Sequence, residues 1–312
     1  MSVFTGIVPS DGVPSVVTIG KFDGVHIGHR AVLNRLTQIS EGRRVVAITF
    51  DRHPLEVFDP SRSPKPLLSL AQKVEALREA GADLVVVIPF TAETSEMAAH
   101  DFVESVLING VNAQHVIVGA DFRYGRGGAG SVATLIAEGI ESGFTVSTVD
   151  DVCASPESLK VSSTAVREAL AVGDVELAHG LLGHPHRMRG RVVHGHQRGR
   201  DLGYPTVNLE ENSEGYIPAA GVYAGYLLVN GSKFVAGISV GTNPTFDDVS
   251  RLQVEAHALD ASFDAYGQVA EIEFTHRIRD LTAFTSVEDL IVAIDGDIVS
   301  IREMVDCGDL LI

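Results

Sequence analysis

The sequence predicts an α/β domain built on a parallel sheet, followed by a small antiparallel β-barrel with a terminal helix. In the first part, apolar strand-like runs alternate with segments of helical periodicity, which is typical of a parallel sheet covered by helices on both faces. After about residue 186, short β-type runs are separated by turn signals such as Asn230-Gly231, and this pattern predicts a barrel. We place the domain boundary after Gly183-His184-Pro185, which gives domains of residues 1–185 and 186–312.

Each predicted element follows from the spacing of its apolar residues. The strands of the parallel sheet are expected at residues 16–20, 45–50, 84–88, 115–119 and 145–149. Helices are expected at residues 30–39, 70–80, 98–108, 131–141, 163–172 and 175–182. The barrel strands are expected at residues 188–193, 221–229, 234–240, 253–259 and 269–277, and the terminal helix at residues 287–304.

The composition narrows the class of protein. A chain of 312 residues with 45% hydrophobic residues can build two packed domains. No apolar stretch reaches the roughly 20 residues of a membrane-spanning helix, and no secretory signal is visible at the N-terminus. Cys153 and Cys307 have no metal-ligand spacing. The net charge of −17 argues against a general nucleic-acid or membrane binder. We therefore expect a cytoplasmic protein with small-molecule partners and leave its oligomeric state open.

The strongest local signal is the segment Gly20–His29, G-K-F-D-G-V-H-I-G-H, between the first strand and the first helix. Ligands of parallel sheets bind beyond the carboxyl ends of the strands, and a helix N-terminus there favours an anion. His26 and His29 can donate hydrogen bonds to phosphate oxygens. The alternative is a strand–turn–helix with two satisfied histidines, but the pair in a Gly/Asp-rich turn favours a nucleotide phosphate site.

Two further segments follow later strands of the sheet. Thr49–Pro54, T-F-D-R-H-P, places His53 toward the same crevice, although a His-Pro after a strand is often only a turn. The Gly-rich loop Val118–Gly127 could cradle phosphate or flavin. Gly125–Gly130 also satisfies G-x-G-x-x-G, but these glycines lie well past the strand end in the fourth unit, so we reject a dinucleotide site.

The segment Ser162–Arg167, S-S-T-A-V-R, begins a helix after the last strand. Ser162 or Ser163 can cap this helix, and Arg167 lies one turn beyond Ser163, so hydroxyl, free N–H groups and guanidinium can converge on an anion. The alternative, which is the commoner meaning of such a string, is a capped helix with a surface arginine. The presence of H-x-G-H in the same domain favours the anion site.

The barrel region carries a second set of motifs. The segment Gly190–Asn208 combines a strand, a Gly/Arg-rich loop and P-T-x-N, and Thr206 and Asn208 face one side of an extended chain. Their oxygens can ligate Mg²⁺, whereas the alternative is a turn before an edge strand. On residues 254–258, Glu255 shares one face with His257 and can accept a proton from a hydroxyl, although a strand glutamate is usually just solvated.

Five arginines fall in one short window of this acidic chain, and charge alone does not say what they do. They either mark an anionic ligand or form a solvated charged strand, and both interpretations stay open. The five are Arg187, Arg189, Arg191, Arg198 and Arg200.

These motifs resemble two known families. H-x-G-H and S-S-T-x-x-R resemble the nucleotidyltransferase superfamily, and the longer G-x-F-D-G-V-H-x-G-H resembles the N-terminal module of bacterial FAD synthetases. The string over Gly190–Asn208 resembles the riboflavin kinase signature. The whole chain is therefore similar to a bifunctional bacterial FAD synthetase (riboflavin kinase/FMN adenylyltransferase), which implies a Rossmann-like, nucleotidyltransferase-type sheet. The resemblance implies that the barrel phosphorylates riboflavin to FMN, and that the first domain adenylylates FMN to FAD with release of pyrophosphate.

The resemblance also implies site residues, with Mg²⁺ as cofactor and ATP as co-substrate. His26 and His29 are expected to stabilise phosphate charge, and Glu255 is expected to be the base for the ribityl hydroxyl. In the first domain, ATP is expected to contact Gly20, Phe22, Asp23, Gly24, His26, His29, Ser162, Ser163, Thr164 and Arg167, and flavin His53, Pro54, Asp121 and Phe122. In the barrel, ATP is expected to contact Gly195, Arg198, Gly199, Gly203, Thr206 and Asn208, flavin Glu255 and Arg277, and the metal Thr206 and Asn208.

Two other functions remain possible at this stage. The chain could be a single-activity adenylyltransferase whose barrel only binds flavin, but Thr206, Asn208 and Glu255 together argue against this. It could be a flavin-responsive regulator without catalysis, but the presence of both His26 and His29 argues against that.

Overall fold

The computed structural model describes residues 2–6, 11–149, 160–194, 202–243, 251–261 and 263–310. Tertiary contacts divide the chain into two compact units, Met1–Ser163 and Thr164–Ile312. The predicted domain boundary at residue 185 remains a prediction. By contacts, the two helices that precede this boundary group with the barrel, because the second of them packs on barrel strands.

The first unit contains a six-stranded sheet in which every pairing is parallel, in the order β1-β4-β3-β2-β5-β8. All five predicted strands are confirmed, and the edge strand β1 was not predicted. The strands are β1 (Ser2–Thr5), β2 (Ser15–Ile19), β3 (Arg44–Phe50), β4 (Leu84–Ile88), β5 (Ala113–Gly119) and β8 (Thr145–Val149). A separate antiparallel hairpin joins β6 (Arg123–Tyr124) to β7 (Gly130–Ser131).

Helices cover both faces of this sheet, because successive strand residues point to opposite sides. Val16 packs with Leu33 and Leu77 on one face, whereas Val17 packs with Leu107 and Leu135 on the other. The helices are α1 (Ile27–Ile39), α2 (Leu55–Phe58), α3 (Leu70–Glu79), α4 (Ala92–Ser95), α5 (Ala99–Phe102, continued by a π-helix over Val103–Ile108) and α6 (Val132–Ser142).

The second unit contains a closed antiparallel barrel in the order β10-β13-β12-β11-β14-β9. The five predicted runs are confirmed as strands, and the three-residue strand β10 adds a sixth. Asn230 and Gly231, both with positive φ, form the turn between β11 and β12, as their sequence predicts. The strands are β9 (His186–Val193), β10 (Val207–Leu209), β11 (Gly221–Val229), β12 (Ser232–Asn243), β13 (Arg251–Ala258) and β14 (Val269–Arg279).

Three helices accompany the barrel: α7 (Ser163–Val172), α8 (Val175–Leu182) and the terminal α9 (Val287–Asp306). The predicted terminal helix is thus confirmed. The Ser286 side chain caps α9 by accepting a hydrogen bond from the Asp289 N–H. Across the described part of the chain, no helix is both long and apolar enough to span a bilayer.

Candidate functional site

The turn between β2 and α1 holds the two predicted histidines face to face. His26 is the N-cap of α1, and its Nδ1 accepts a hydrogen bond from the His29 N–H at 3.4 Å. The two imidazole rings are stacked, with centroids 3.6 Å apart and planes 15° apart. Phe22 packs edge-on against His29 at 5.1 Å. The predicted pairing of both imidazoles at a helix N-terminus is therefore present.

The backbone of this turn is strained. Phe22 and Val25 have φ values of 50° and 43°, and Gly24 has a φ of 85°. A β-branched residue rarely adopts a positive φ, and such positions cost roughly 1–3 kcal/mol each. Phe22 and Val25 are both buried, so apolar packing offsets this cost. Strain of this kind concentrates at functional sites, which agrees with the site predicted from the sequence.

Both imidazoles are held neutral at physiological pH. Burial lowers the pKa of His26 to about 4. Burial, followed by the charges of His26 and Lys73, lowers the pKa of His29 well below 6.5. Because Nδ1 of neutral His26 accepts a hydrogen bond, its proton lies on Nε2, which can donate to a ligand. His29 Nδ1 is buried without a hydrogen-bond partner among the described residues. The pair thus offers neutral donors beside the N–H groups of the first turn of α1.

Other predicted residues support this turn. Asp23 Oδ1 accepts hydrogen bonds from the N–H groups of Leu67 and Leu68 at 2.9 and 3.4 Å. The Ser163 hydroxyl donates to the Asp23 carbonyl at 2.7 Å, so this serine does reach the turn. A Cβ at Gly20 would stand 3.1 Å from the Phe22 ring, so the glycine lets this ring pack closely against the backbone.

The segment after β3 lies beside the same turn. His53 Nε2 is 3.5 Å from Lys21 Nζ, and His53 Nδ1 accepts from the Leu55 N–H at 3.1 Å. Pro54 is the N-cap of the short helix α2. The structure therefore brings His53 to the Gly20–His29 turn, as its position after a neighbouring parallel strand predicts.

The Gly-rich loop after β5 leads into the β6–β7 hairpin, and two glycines there, Gly125 and Gly130, permit close packing. A Cβ at Gly125 would stand 2.7 Å from the backbone of Ala99, and a Cβ at Gly130 would stand 2.6 Å from the Tyr124 ring. Phe122 stacks on Tyr124 with centroids 5.6 Å apart, and Asp121 is exposed. The flavin-binding roles of Asp121 and Phe122 remain predictions.

The barrel brings three predicted residues together. Asn208 on β10 lies opposite Glu255 on β13. The Thr206 hydroxyl donates to Glu255 Oε2 at 3.4 Å and accepts from Asn208 Nδ2 at 3.2 Å. Asn208 Oδ1 in turn accepts from Gln253 Nε2 at 3.1 Å. Hydroxyl, amide and carboxylate thus converge on one face, where period-2 alternation predicts them.

A second layer of contacts holds the segment that carries Thr206. His257 Nδ1 donates to the Pro205 carbonyl at 2.9 Å, and the Tyr204 hydroxyl donates to Asp295 of α9 at 2.7 Å. The hydrogen bond to Asp295 raises the pKa of Tyr204, so this phenol stays protonated. The sequence did not identify Tyr204 or Asp295 as positioning residues, because their 91-residue separation leaves no local signal.

Comparison with known proteins decides the family. The FAD synthetase family model matches residues 9–165, and the riboflavin kinase family model matches residues 182–305. A bifunctional riboflavin kinase/FMN adenylyltransferase from Escherichia coli K12 is 37% identical over 300 residues, covering 95% of this chain and 93% of that protein. The chain belongs to this bifunctional family. The family predicted from the sequence is thereby confirmed.

Further relatives of the same description cover nearly the whole chain. The Listeria monocytogenes enzyme is 37% identical over 91% of this chain and 90% of its own length. The Bacillus subtilis enzyme is 33% identical over 93% and 92%. A crystal structure described as a macrolide-efflux protein from Streptococcus pneumoniae has a TM-score of 0.83 and 30% identity, and covers 96% of this chain and 98% of that one. The fold of this chain is thus similar to that of the Streptococcus pneumoniae structure.

The remaining predicted ATP-binding residues are only partly within the described residues. Gly195, Arg198 and Gly199 lie outside the described residues. Gly203 is described and has a φ of 93°, a conformation that favours glycine. Ser162 is described and directly precedes α7, whereas Thr164 and Arg167 lie on α7 within the second unit. The ATP-binding roles of these residues remain predictions.

Two arginines of the five-arginine window, Arg187 and Arg189 on β9, form ion pairs, whereas Arg198 and Arg200 lie outside the described residues. Arg187 pairs with Glu271 at 3.4 Å and with buried Glu273 at 2.8 Å, and Arg189 pairs with Glu271 at 3.1 Å. Lys233 approaches the other oxygen of Glu273 at 2.8 Å. Arg187 and Arg189 therefore neutralise carboxylates of the neighbouring strand β14, which lie more than 80 residues away in sequence, whereas Arg191 donates to the Gly267 carbonyl.

Arg277 anchors α7 and α8 to the barrel. Its guanidinium donates to the carbonyls of Val172 and Ala220 and to Asp280, and its N–H donates to Glu176 at 2.9 Å. The guanidinium of Arg277 thus already forms hydrogen bonds within the protein. Its predicted contact with flavin remains a prediction.

Lys73 on α3 is a charged residue beside the site that the motifs did not identify. It occupies an apolar-face position, since Leu70, Val74 and Leu77 follow the i, i+4, i+7 spacing around it. A lysine on the apolar face of a helix is the sequence signal that could have identified this residue.

Proposed function

We propose that this chain is a bifunctional enzyme that phosphorylates riboflavin in the barrel and adenylylates FMN in the first unit. One observation carries the proposal: Thr206, Asn208 and Glu255 converge in the barrel of a chain that also holds stacked histidines at a helix N-terminus. Either arrangement alone is compatible with a single-activity protein. Their joint presence in a family of bifunctional enzymes supports both activities.

In the barrel, Glu255 is suited to act as the general base. Its carboxylate accepts the proton of the ribityl hydroxyl while that oxygen attacks the γ-phosphorus of ATP, and ADP leaves as the bond to its β-phosphate oxygen breaks. Thr206 orients the carboxylate through its 3.4 Å hydrogen bond. His257, two residues further on β13, holds the backbone at Pro205 and so fixes the segment that presents Thr206.

The oxygens of Thr206 and Asn208 fit a hard cation such as Mg²⁺. Both are oxygen donors, and the two side chains are in hydrogen-bond contact. Among the described residues, no group of three His, Cys, Asp or Glu side chains could form an all-protein metal cage. This agrees with an ion that is shared with substrate phosphates, where it would neutralise charge on the transferring phosphoryl group.

In the first unit, the chemistry needs no protein nucleophile. A phosphate oxygen of FMN attacks the α-phosphorus of ATP, and pyrophosphate leaves. The Nε2–H of His26 and the first-turn N–H groups of α1 are positioned to donate to the phosphates, and His29 is stacked beside them. Ser162, Ser163, Thr164 and Arg167 are proposed to hold the outer phosphates.

The remaining assignments follow the same proposal. The flavin of the adenylyl step contacts His53, Pro54, Asp121 and Phe122. We place the domain boundary near residue 185, three residues after the riboflavin kinase match begins at residue 182. Acidic composition supports small-molecule partners rather than nucleic acid, and ATP-dependent chemistry supports the cytoplasm as its compartment.

A single product assay tests the proposal. The purified chain is incubated with riboflavin, ATP and Mg²⁺, and flavins are separated by chromatography. Sequential appearance of FMN and FAD is expected. FMN without FAD would remove the adenylyltransferase assignment. No FMN from riboflavin, together with FAD formed from added FMN, would favour a barrel that only binds flavin. Absence of both products with retained flavin binding would favour a regulator.

A further inference from the structure

One buried cation lies directly behind the Gly20–His29 turn. Lys73 is only 8% exposed, and its Nζ donates to the carbonyl oxygens of Phe50 at 2.7 Å and Lys21 at 3.4 Å. Phe50 is the last residue of β3, and Lys21 lies in the turn after β2. One ammonium group therefore joins the carboxyl ends of two adjacent strands.

The position is energetically unfavourable for a lysine. Burial lowers the pKa of Lys73, which means that the surroundings disfavour its charge. The residue also lies near the N-terminus of α3, where the helix dipole disfavours cations. Among the described residues, no carboxylate oxygen lies within 4.0 Å of Nζ, and Asp23, Asp51 and Glu56 act only at longer range. A methionine of similar length would avoid these costs, so the lysine calls for a role beyond packing.

The two segments that Lys73 joins are those assigned to different substrates. The Gly20–His29 turn is the proposed ATP site, and the segment after Phe50 carries His53 and Pro54, the proposed flavin contacts. The Lys21 carbonyl is held from two sides, because the Thr49 hydroxyl also donates to it at 3.1 Å. In-line transfer requires the two substrates at a fixed separation, and both carry anionic phosphates.

We propose that Lys73 is a positioning residue for adenylyl transfer. Its ammonium fixes the ATP-binding turn against the flavin-binding segment and supplies positive charge behind the place where two phosphate groups meet. The inference rests on the proposed adenylyltransferase function of the first unit. Lys73 lies outside the sequence motifs, and in this proposal it sets the distance between the Gly20–His29 turn and the segment that carries His53 and Pro54.

The test uses Lys73→Met and Lys73→Arg in the full chain, with Lys65→Met as a control that removes an exposed lysine of the same unit. We expect Lys73→Met to lower kcat for FAD formation from FMN by about 10²-fold, the cost of a small misplacement, with smaller changes in KM. Lys73→Arg should recover most of the rate, because a guanidinium can donate to both carbonyls and keeps the charge. FMN formation from riboflavin in the same preparations should stay within twofold of wild type.

Several outcomes would overturn the inference. An adenylyl kcat of Lys73→Met within twofold of wild type would remove it. Equal losses of both activities together with a lower melting temperature, or no recovery in Lys73→Arg, would assign the lysine to folding alone. If Lys73→Met does not fold, Lys73→Gln against Lys73→Arg makes the same comparison, since only the latter keeps the charge. A wild-type chain that makes no FAD from FMN overturns the proposed function itself, and that result is read before any variant.

Discussion

Asn208 on β10 lies directly opposite Glu255 on β13, and the Thr206 hydroxyl bridges the two side chains by accepting from the amide and donating to the carboxylate. This bridge connects the residues assigned to the metal with the residue assigned to proton transfer. Because the three side chains share one hydrogen-bonded unit, a change in any of them alters the orientation of the others. The barrel therefore presents a pre-assembled site rather than separate contacts.

Glu255→Gln should separate the two activities. Glutamine keeps the size of the side chain and can still accept from Thr206, but it cannot take up a proton. We expect kcat for FMN formation to fall by about 10²–10⁴-fold, the usual contribution of a general base. FAD formation from added FMN should be unchanged, which also verifies that the protein is folded. A kinase rate within threefold of wild type would show that Glu255 is not the base.

His29→Ala should give the opposite separation. The substitution removes one ring of the stacked pair. The His26 ring, which accepts a hydrogen bond from the backbone N–H of residue 29, then lacks the ring that packs against it. Loss of a preorganised donor at a phosphate site costs about 10²–10³-fold in kcat. We expect this loss for FAD formation from FMN, measured by chromatography, with riboflavin phosphorylation unchanged. Loss of both steps in a folded variant would contradict the assignment of separate sites.

Tyr204→Phe tests whether α9 supports the barrel site. The phenyl ring keeps its edge contact with His257, but the hydrogen bond to Asp295 is lost. We expect KM for ATP in FMN formation to rise about fivefold, because the neighbouring Pro205–Thr206 segment is held less firmly. Asp295→Asn, which still accepts from the phenol, is the matched control and should show a smaller rise. Equal behaviour of both variants and the wild type would exclude a supporting role for α9.

The parts of the structure that follow from local pattern were predictable from the sequence. Apolar runs located the long strands, and period-2 alternation placed Glu255 and His257 on one face. The edge strand Ser2–Thr5 and the three-residue strand Val207–Leu209 were not predicted, because strands of three or four residues are too short to show an alternating pattern.

Long-range electrostatics was not predictable in the same way. The roles of Arg187 and Arg189 could not be assigned, because their partners Glu271 and Glu273 come from a strand more than 80 residues away. The role of Lys73 was not predicted for a related reason. Its function depends on two backbone carbonyls from other strands, and the sequence shows only an unexplained charge on an apolar helix face.

The pH dependence of stability should reveal a buried neutral histidine in the barrel. His186 is 1% exposed, and its Nε2 donates to the Tyr216 carbonyl at 2.6 Å. Burial lowers the pKa of His186 to about 4 from an unfolded value near 6.5. Between these values the unfolded state binds the proton more tightly. The histidine's contribution is therefore complete above pH 6.5 and is lost as the pH falls toward 4.

His186→Gln isolates this contribution, since the glutamine amide can still donate to Tyr216 but does not titrate. The variant should be less stable than wild type at pH 7, and the difference in free energy of unfolding should shrink by about 3 kcal/mol as the pH falls from 7 to 4. Urea unfolding followed by circular dichroism measures both. His26, whose pKa is also about 4, titrates identically in the two proteins and cancels from the difference. A difference that stays constant with pH would show that His186 is not held neutral by its burial.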